Sequence, residues 1–169
     1  MITSAELSEI QELGGAISPI VSGGNYVADF VCDDLSGARD LDQLVAAINK
    51  QYTRSQLQKE DVKPAEAWPS PWKKISECIW YGVDVNDGDE PNRPPLSQQA
   101  IEQLGKHRDR LKELLDKLVD EKATVYTFGW IPRIKDHINL DDYVVMWAYR
   151  FIVLNPDGSA YLLHGSSSD

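Results

Sequence analysis

Three histidines, two cysteines and one acid-rich stretch are the groups of this 169-residue chain best equipped to bind a metal or move a proton. His164 ends an apolar run and would sit across a hairpin from Arg150, while His137 follows Asp136 and shortly precedes Asp141. Imidazole, guanidinium and carboxylate gathered in one pocket would support acid–base work. His137, Asp141 and His164 could also be drawn as a metal set, but no ligand spacing forces them together. The acid-rich stretch contains Asp84, Asp87, Asp89 and Glu90. A calcium loop needs glycine at its sixth position and glutamate at its twelfth. Counted from Asp84, the glycine is fifth and the twelfth residue is Pro95. The register fails, so we expect no metal and no cofactor, and read the stretch as a solvated acidic turn open to a basic partner.

Nucleophilic chemistry has no positive support. There is no Gly-x-Ser-x-Gly elbow, and neither Cys32 nor Cys78 has a base beside it in the sequence. Both cysteines lie among apolar residues without zinc spacing, which reads as a pair of small buried thiols. His164-Gly165-Ser166 matches one His-x-Ser element of the two-histidine phosphoesterases, whose chemistry needs a second that His107 and His137 do not supply. Gly23-Gly24 lacks the remaining glycines of a phosphate loop. The balance leans away from an enzyme.

Charge narrows the partners. Twenty-seven acids against 17 bases give a net charge of −10. The excess is six up to Val85 and four beyond it, so the acidity is not a tail. Phosphate backbones are bound by clustered Lys and Arg, which disfavours nucleic acid and favours a protein partner with a basic surface. Hydrophobic residues at 42% and charged residues at 26% are ordinary for a globular protein. No apolar run approaches the roughly 18 residues of a membrane span. The N-terminal residues show no leader pattern, so the expected setting is cytoplasmic.

These groups must be held by elements, and the strongest signal for one is a hairpin over 142–164. The residues 142–154 form a long strand, Asn155-Pro156-Asp157-Gly158 a type I turn closed by a glycine bulge, and 159–164 the return strand. That register sets Val153 opposite Tyr161, Ile152 opposite Leu162, Phe151 opposite Leu163 and Arg150 opposite His164. Both faces of the long strand are then largely apolar, so the sheet must be covered on both sides. A further strand is expected over 124–131.

Helices are expected at three places, with an ambiguous stretch between the second and third. Thr3 and Glu6 make a capping box for a helix that Gly14-Gly15 would end. Residues 16–21 and 25–32 then read as a weaker hairpin, its first strand confined to an edge by Pro19. Asp40 caps a second helix carrying Leu41, Leu44, Val45 and Ile48. Residues 53–71 read as a long connection. The stretch 70–85 reads as a short helix, with Ser70 as cap and Pro71 first, giving way to a strand near Trp80. The clearest helix is 97–122, with Ile101, Leu104, Leu111, Leu115 and Leu118 in its stripe and Arg108 taking one turn of it.

The expected fold is therefore a single α+β domain over 1–169, an antiparallel sheet packed by helix 97–122 and the shorter N-terminal helices. The expected function is a small acidic module that binds another protein, of inhibitor, immunity or adaptor type. Trp68, Trp72 and Trp130 lie near prolines in stretches read as surface, and join Asp84, Asp87, Asp89 and Glu90 as contact residues. The alternative is an enzyme or ligand-binding domain with a pocket on the C-terminal sheet, using His164, Arg150, His137 and Asp141. A homo-oligomer using an exposed sheet face is a third.

Overall fold

A computed structural model of the chain describes residues 2–24, 26–52, 56–83, 93–129 and 145–168, with the backbone alone at 145, 146 and 168. The elements in chain order are α1 (Ser4–Val21), β1 (Val27–Ala28), β2 (Val31–Asp34), α2 (Leu41–Gln51), β3 (Lys63–Pro64), α3 (Ser70–Ile79), α4 (Gln98–Leu118), β4 (Thr124–Thr127), β5 (Val145–Leu154) and β6 (Ala160–Ser168). The strands form one antiparallel sheet in the order β1-β6-β5-β4-β3, with β2 also paired to β6. The α+β class is as the sequence predicts.

The turn chemistry sets the register of the central hairpin. The Gly158 N–H donates to the Asn155 carbonyl at 3.0 Å, Asn155 N–H donates to Ser159 at 2.9 Å, and Gly158 adopts a φ of 85°. Val153 faces Tyr161, Ile152 faces Leu162, Phe151 faces Leu163 and Arg150 faces His164, all as predicted. The ladder carries one extra residue on β5 between Val145 and Trp147. The Asn155 amide also donates to the Leu118 carbonyl at 2.8 Å, and its oxygen accepts the Asp120 N–H at 3.0 Å. Asn155 thus closes the turn with its backbone and, with its side chain, caps the end of α4, a helix whose last carbonyls need partners.

Both faces of the sheet are covered, and by different means. On the first face, α1, α3 and α4 bury Ile10, Ile17, Ile75, Leu104, Leu111 and Leu115 against Tyr149, Val153 and Leu163. The second face is covered by residues of 35–52 and 56–62. Leu35, Leu44, Ile48, Tyr52, Leu57 and Val62 pack on Phe128, Ile152, Ala160 and Leu162. This segment leaves edge strand β2 and rejoins the sheet at β3 on the opposite edge, so it crosses the face as one strap.

Several boundaries differ from the sequence reading, each for a physical reason. Helix α1 does not end at Gly14-Gly15 but continues to Val21 with Pro19 inside it, because Ile17 and Val21 extend the buried stripe. The expected hairpin of 16–21 with 25–32 is therefore absent, and β1 and β2 pair with β6 instead. Gly14 is present for closeness: a Cβ there would meet the Phe30 carbonyl oxygen at 2.5 Å. Helix α1 lies along the free side of β1 and β2, where Ser18 Oγ donates to the Ala28 carbonyl at 2.6 Å and Gln11 Nε2 to the Cys32 carbonyl at 3.3 Å. An edge that could pair with another chain is covered this way.

The connection 53–71 is not featureless, since it holds a 3-10 turn at Lys59–Asp61 and strand β3. Strand β3 is only two residues long and owes its existence to pairing with β4, which no local pattern announces. Ser70 is the first residue of α3 rather than its cap, and Trp80 to Val83 is a turn, not a strand. Ser97 caps α4 as expected, accepting the Ala100 N–H at 3.1 Å, but the helix stops at Leu118 instead of 122. Arg108 takes its turn of the stripe by stacking its guanidinium over Trp80 at 4.4 Å. β4 ends at Thr127; 130–131 and 142–144, included in the expected strands, lie outside the described residues.

Gly14 and Gly15 make a controlled comparison. Gly14→Ala should lower stability by about 1–3 kcal/mol, the usual cost of overpacking against a fixed carbonyl. Gly15, with nothing within 4 Å of a built Cβ, should gain up to about 1 kcal/mol on substitution by alanine in the helix. Urea denaturation of the two variants checks both signs; equal effects would show that the close approach to Phe30 does not matter.

Candidate functional site

The polar group most deeply set into the second face is built from three elements. Asp33 comes from β2, His164 from β6, where Val31 faces it in the ladder, and Tyr52 from the C-cap of α2. Strand alternation turns Asp33 and His164 to the strap side, opposite to Cys32 and Leu163. The helical stripe Leu44, Ile48, Tyr52 then carries the phenol onto them.

The Tyr52 hydroxyl donates to Asp33 Oδ2 and lies 2.9 Å from His164 Nε2. His164 Nε2 is itself 3.1 Å from the same carboxylate oxygen. That contact is attractive only with a hydrogen on Nε2. The Tyr52 and His164 rings meet edge to face at 5.7 Å. Burial by itself would raise the Asp33 carboxyl. Hydrogen bonds from His164 and Tyr52, the His164 charge and a bond from Gln51 outweigh it and hold the group below its ordinary 3.8.

Arg150 stands opposite His164 in the ladder, with its guanidinium 5.8 Å from the centre of the Phe128 ring. It is 7% exposed and His164 3%, while the Asp33 side chain is 12% exposed. The arrangement is closed to solvent. Its chemistry is that of a clamp: it ties the end of α2 to two strands. Beside it an open groove of about 590 Å³ lies between α2 and the 34–38 turn, lined among others by Asp34, Gly37, Ala47 and Lys50. One carboxylate and one ammonium leave it without a net sign.

Of the predicted pocket, Arg150 and His164 come together, whereas His137 and Asp141 lie outside the described residues. So do Asp84, Asp87, Asp89, Glu90 and Trp130. Trp68 is half-buried and its indole N–H donates to Asp116 at 2.9 Å, which staples the 65–69 segment to α4. Trp72 is 9% exposed and packs within the first apolar layer, so the neighbouring prolines mark a helix start rather than a surface. Ser166 of the His-x-Ser match lies in the ladder, its N–H held by the Asp29 carboxylate at 2.7 Å.

Burial pushes the thiol of Cys32 up to about 12 and that of Cys78 up to about 11, which keeps both protonated and inert. Among the described residues no three His, Cys, Asp or Glu are grouped to hold a metal, and no helix is long and apolar enough to cross a membrane. Asp33 and Tyr52 are the residues that sequence reasoning missed. A carboxylate directly after the apolar run 26–32, and a tyrosine continuing the α2 stripe, are the signals that could have found them.

No family model and no curated protein matches the chain. Among solved structures it is similar to citrus MAF1 in two crystal forms. The one in space group C 2 2 21 is 13% identical with a TM-score of 0.59, covering 96% of this chain and 99% of that one. The one in P 31 2 1 is 12% identical with a TM-score of 0.54, covering 92% and 98%. At such identities the likeness is one of fold.

The lowered Asp33 carboxyl fixes a pH dependence. A group whose folded value lies below its unfolded one contributes stability above the unfolded value and loses it as pH falls through the folded one. Asp33→Asn should therefore cost about 1–3 kcal/mol at pH 7, the range for a hydrogen-bonded buried charge. The difference from the parent should shrink once pH drops below the ordinary carboxylate range. Denaturant titrations across that range check it, and a pH-independent difference would refute the assignment.

Proposed function

We propose that the chain acts as one domain that binds another protein, a cytoplasmic module of inhibitor, immunity or adaptor type whose partner presents a basic surface. The observation that carries this reading is the disposition of charge. Elsewhere several carboxylates are matched by bases: Glu6 by Lys117 at 2.8 Å, Glu9 by Arg110 at 2.7 Å and Asp42 by Lys59 at 2.7 Å. Between 84 and 92, Asp84, Asp87, Asp89 and Glu90 stand without a single base.

The flanks of this segment support a contact role. Val83, before it, is buried in the first apolar layer. Arg93, after it, donates to the carbonyls of Tyr81 and Gly82 at 3.4 and 3.3 Å and lies over the Tyr26 ring at 5.8 Å. The two ends are thus bridged at one place, and a base-free run of carboxylates suits a basic protein partner better than it suits a phosphate chain. Trp68 and Trp130 are the aromatic residues that join it in this reading. The pocket alternative draws no support from His164 and Arg150, which are shut from solvent.

Neutralising the segment tests the proposal. Chain carrying D84N, D87N, D89N and E90Q should melt like the parent yet retain its partner, captured from host extract, at least about ten-fold more weakly. Raising ionic strength should weaken the parent's capture toward that of the variant. Equal recovery by both at low salt would sink the reading.

A further inference from the structure

The guanidinium groups of this chain differ in how their charge is met. Arg110 forks onto Glu9 at 2.7 and 2.8 Å and also donates to Glu113 at 3.0 Å. Arg108 lies over Trp80 and reaches Asp109 at 3.4 Å. Among the described residues, Arg93 pairs with no carboxylate. Its Nη1 donates to the Pro94 carbonyl at 3.3 Å, and its Nη2 to those of Tyr81 and Gly82 at 3.4 and 3.3 Å. All three bonds are long for their kind.

The surroundings of Arg93 hold the group without balancing its charge. Nε is buried and has no hydrogen-bond partner among the described residues. The guanidinium lies 5.8 Å from the centre of the Tyr26 ring, which stacks on Tyr81 at 6.2 Å. Gly23 flanks the stem: a Cβ built there would be 3.7 Å from Arg93 Cβ. Burial pushes the guanidinium below its ordinary value, with the Tyr26 phenol acting the other way. A rigid fork of donors is thus kept half-buried with its charge uncompensated and one N–H unmet, an arrangement that costs stability until an anion arrives.

We propose that Arg93, seated on Tyr26 and Tyr81, is the centre of a subsite that binds one carboxylate. A carboxylate at the Nη edge exchanges long carbonyl contacts for charge-assisted bonds. A phosphate dianion is the poorer ligand. It would meet one cation, three carbonyl oxygens already turned toward that cation, and a chain of net charge −10. The carboxylate comes either from a small acid or from a side chain of the partner proposed above, and the second case alone rests on that reading.

The Arg93 Nε–Hε resonance reads the site as sodium acetate replaces chloride at constant ionic strength. It should shift saturably, with a midpoint of about 10–100 mM, the range expected of one charge-assisted hydrogen bond. The Arg110 resonance, whose fork is already filled, should stay still. R93Q should abolish the accompanying shift of the Gly82 amide; where R93Q does not fold, the parent titration decides alone. An Arg93 shift that does not saturate, or that Arg110 shares, would overturn the proposal. So would saturation by inorganic phosphate at a lower concentration than acetate. Once acetate binding is seen, capture separates the sources: R93Q retaining the partner about ten-fold more weakly places the carboxylate on the partner, and unchanged capture places it on a small acid. Chain carrying D84N, D87N, D89N and E90Q should bind acetate at least as tightly as the parent, so failure of the acidic segment as a contact leaves this subsite standing.

Discussion

A strand that is apolar on both sides cannot lie against water on either, and much of what is not sheet in this molecule is arranged to meet that condition for β5 and β6. Tyr149, Val153 and Leu163 face one way, and Ile152, Ala160 and Leu162 the other. The first set is met by three helices drawn from distant parts of the chain. The second is met by a single crossing of the sheet from edge to edge. Charge has little part in this, and an ionisable pair set deep in the second layer, Asp33 with His164, is satisfied by Tyr52.

The free sides of the outer strands impose a second condition. Unpaired carbonyls and amides along β1 and β2 are met by Gln11 and Ser18 of α1 and by Ser22 at its C-cap, which requires the helix to approach without a side chain at position 14. Gly165 solves the corresponding problem inside the sheet, where a Cβ would strike the buried Tyr149 hydroxyl at 2.6 Å. At the other edge, β3 is two residues long and carries Lys63 and Pro64, a poor template for further pairing.

What could be read from the sequence follows from how local each determinant is. The hairpin register rests on four turn residues and the alternation beside them, and α4 on its cap and its stripe. Both are short-range and both were legible. Gly14-Gly15 was misread because glycine serves two ends, stopping a helix and allowing a close approach, and only the position of Phe30 decides between them. Strand β3 was missed because two residues carry no pattern of their own. His164 and Arg150 were placed together by the hairpin, but Asp33 lies 131 residues from His164 and Tyr52 lies 112 from it. No spacing rule spans such distances, so the buried cluster becomes visible only once the sheet is folded.

The position of β6 has a consequence for how the chain is made. It pairs on one side with its own hairpin partner and on the other with β1 and β2, from the opposite end of the described chain. A local hairpin closes in about microseconds, whereas pairing across such a separation is limited by chain entropy. During synthesis the ribosome delivers β1, β2, α1 and α2 long before the strand they depend on. Until β6 emerges, the sheet surface on which α1 and α2 pack is incomplete, and the nascent chain is at its most attractive to chaperones and to other copies of itself.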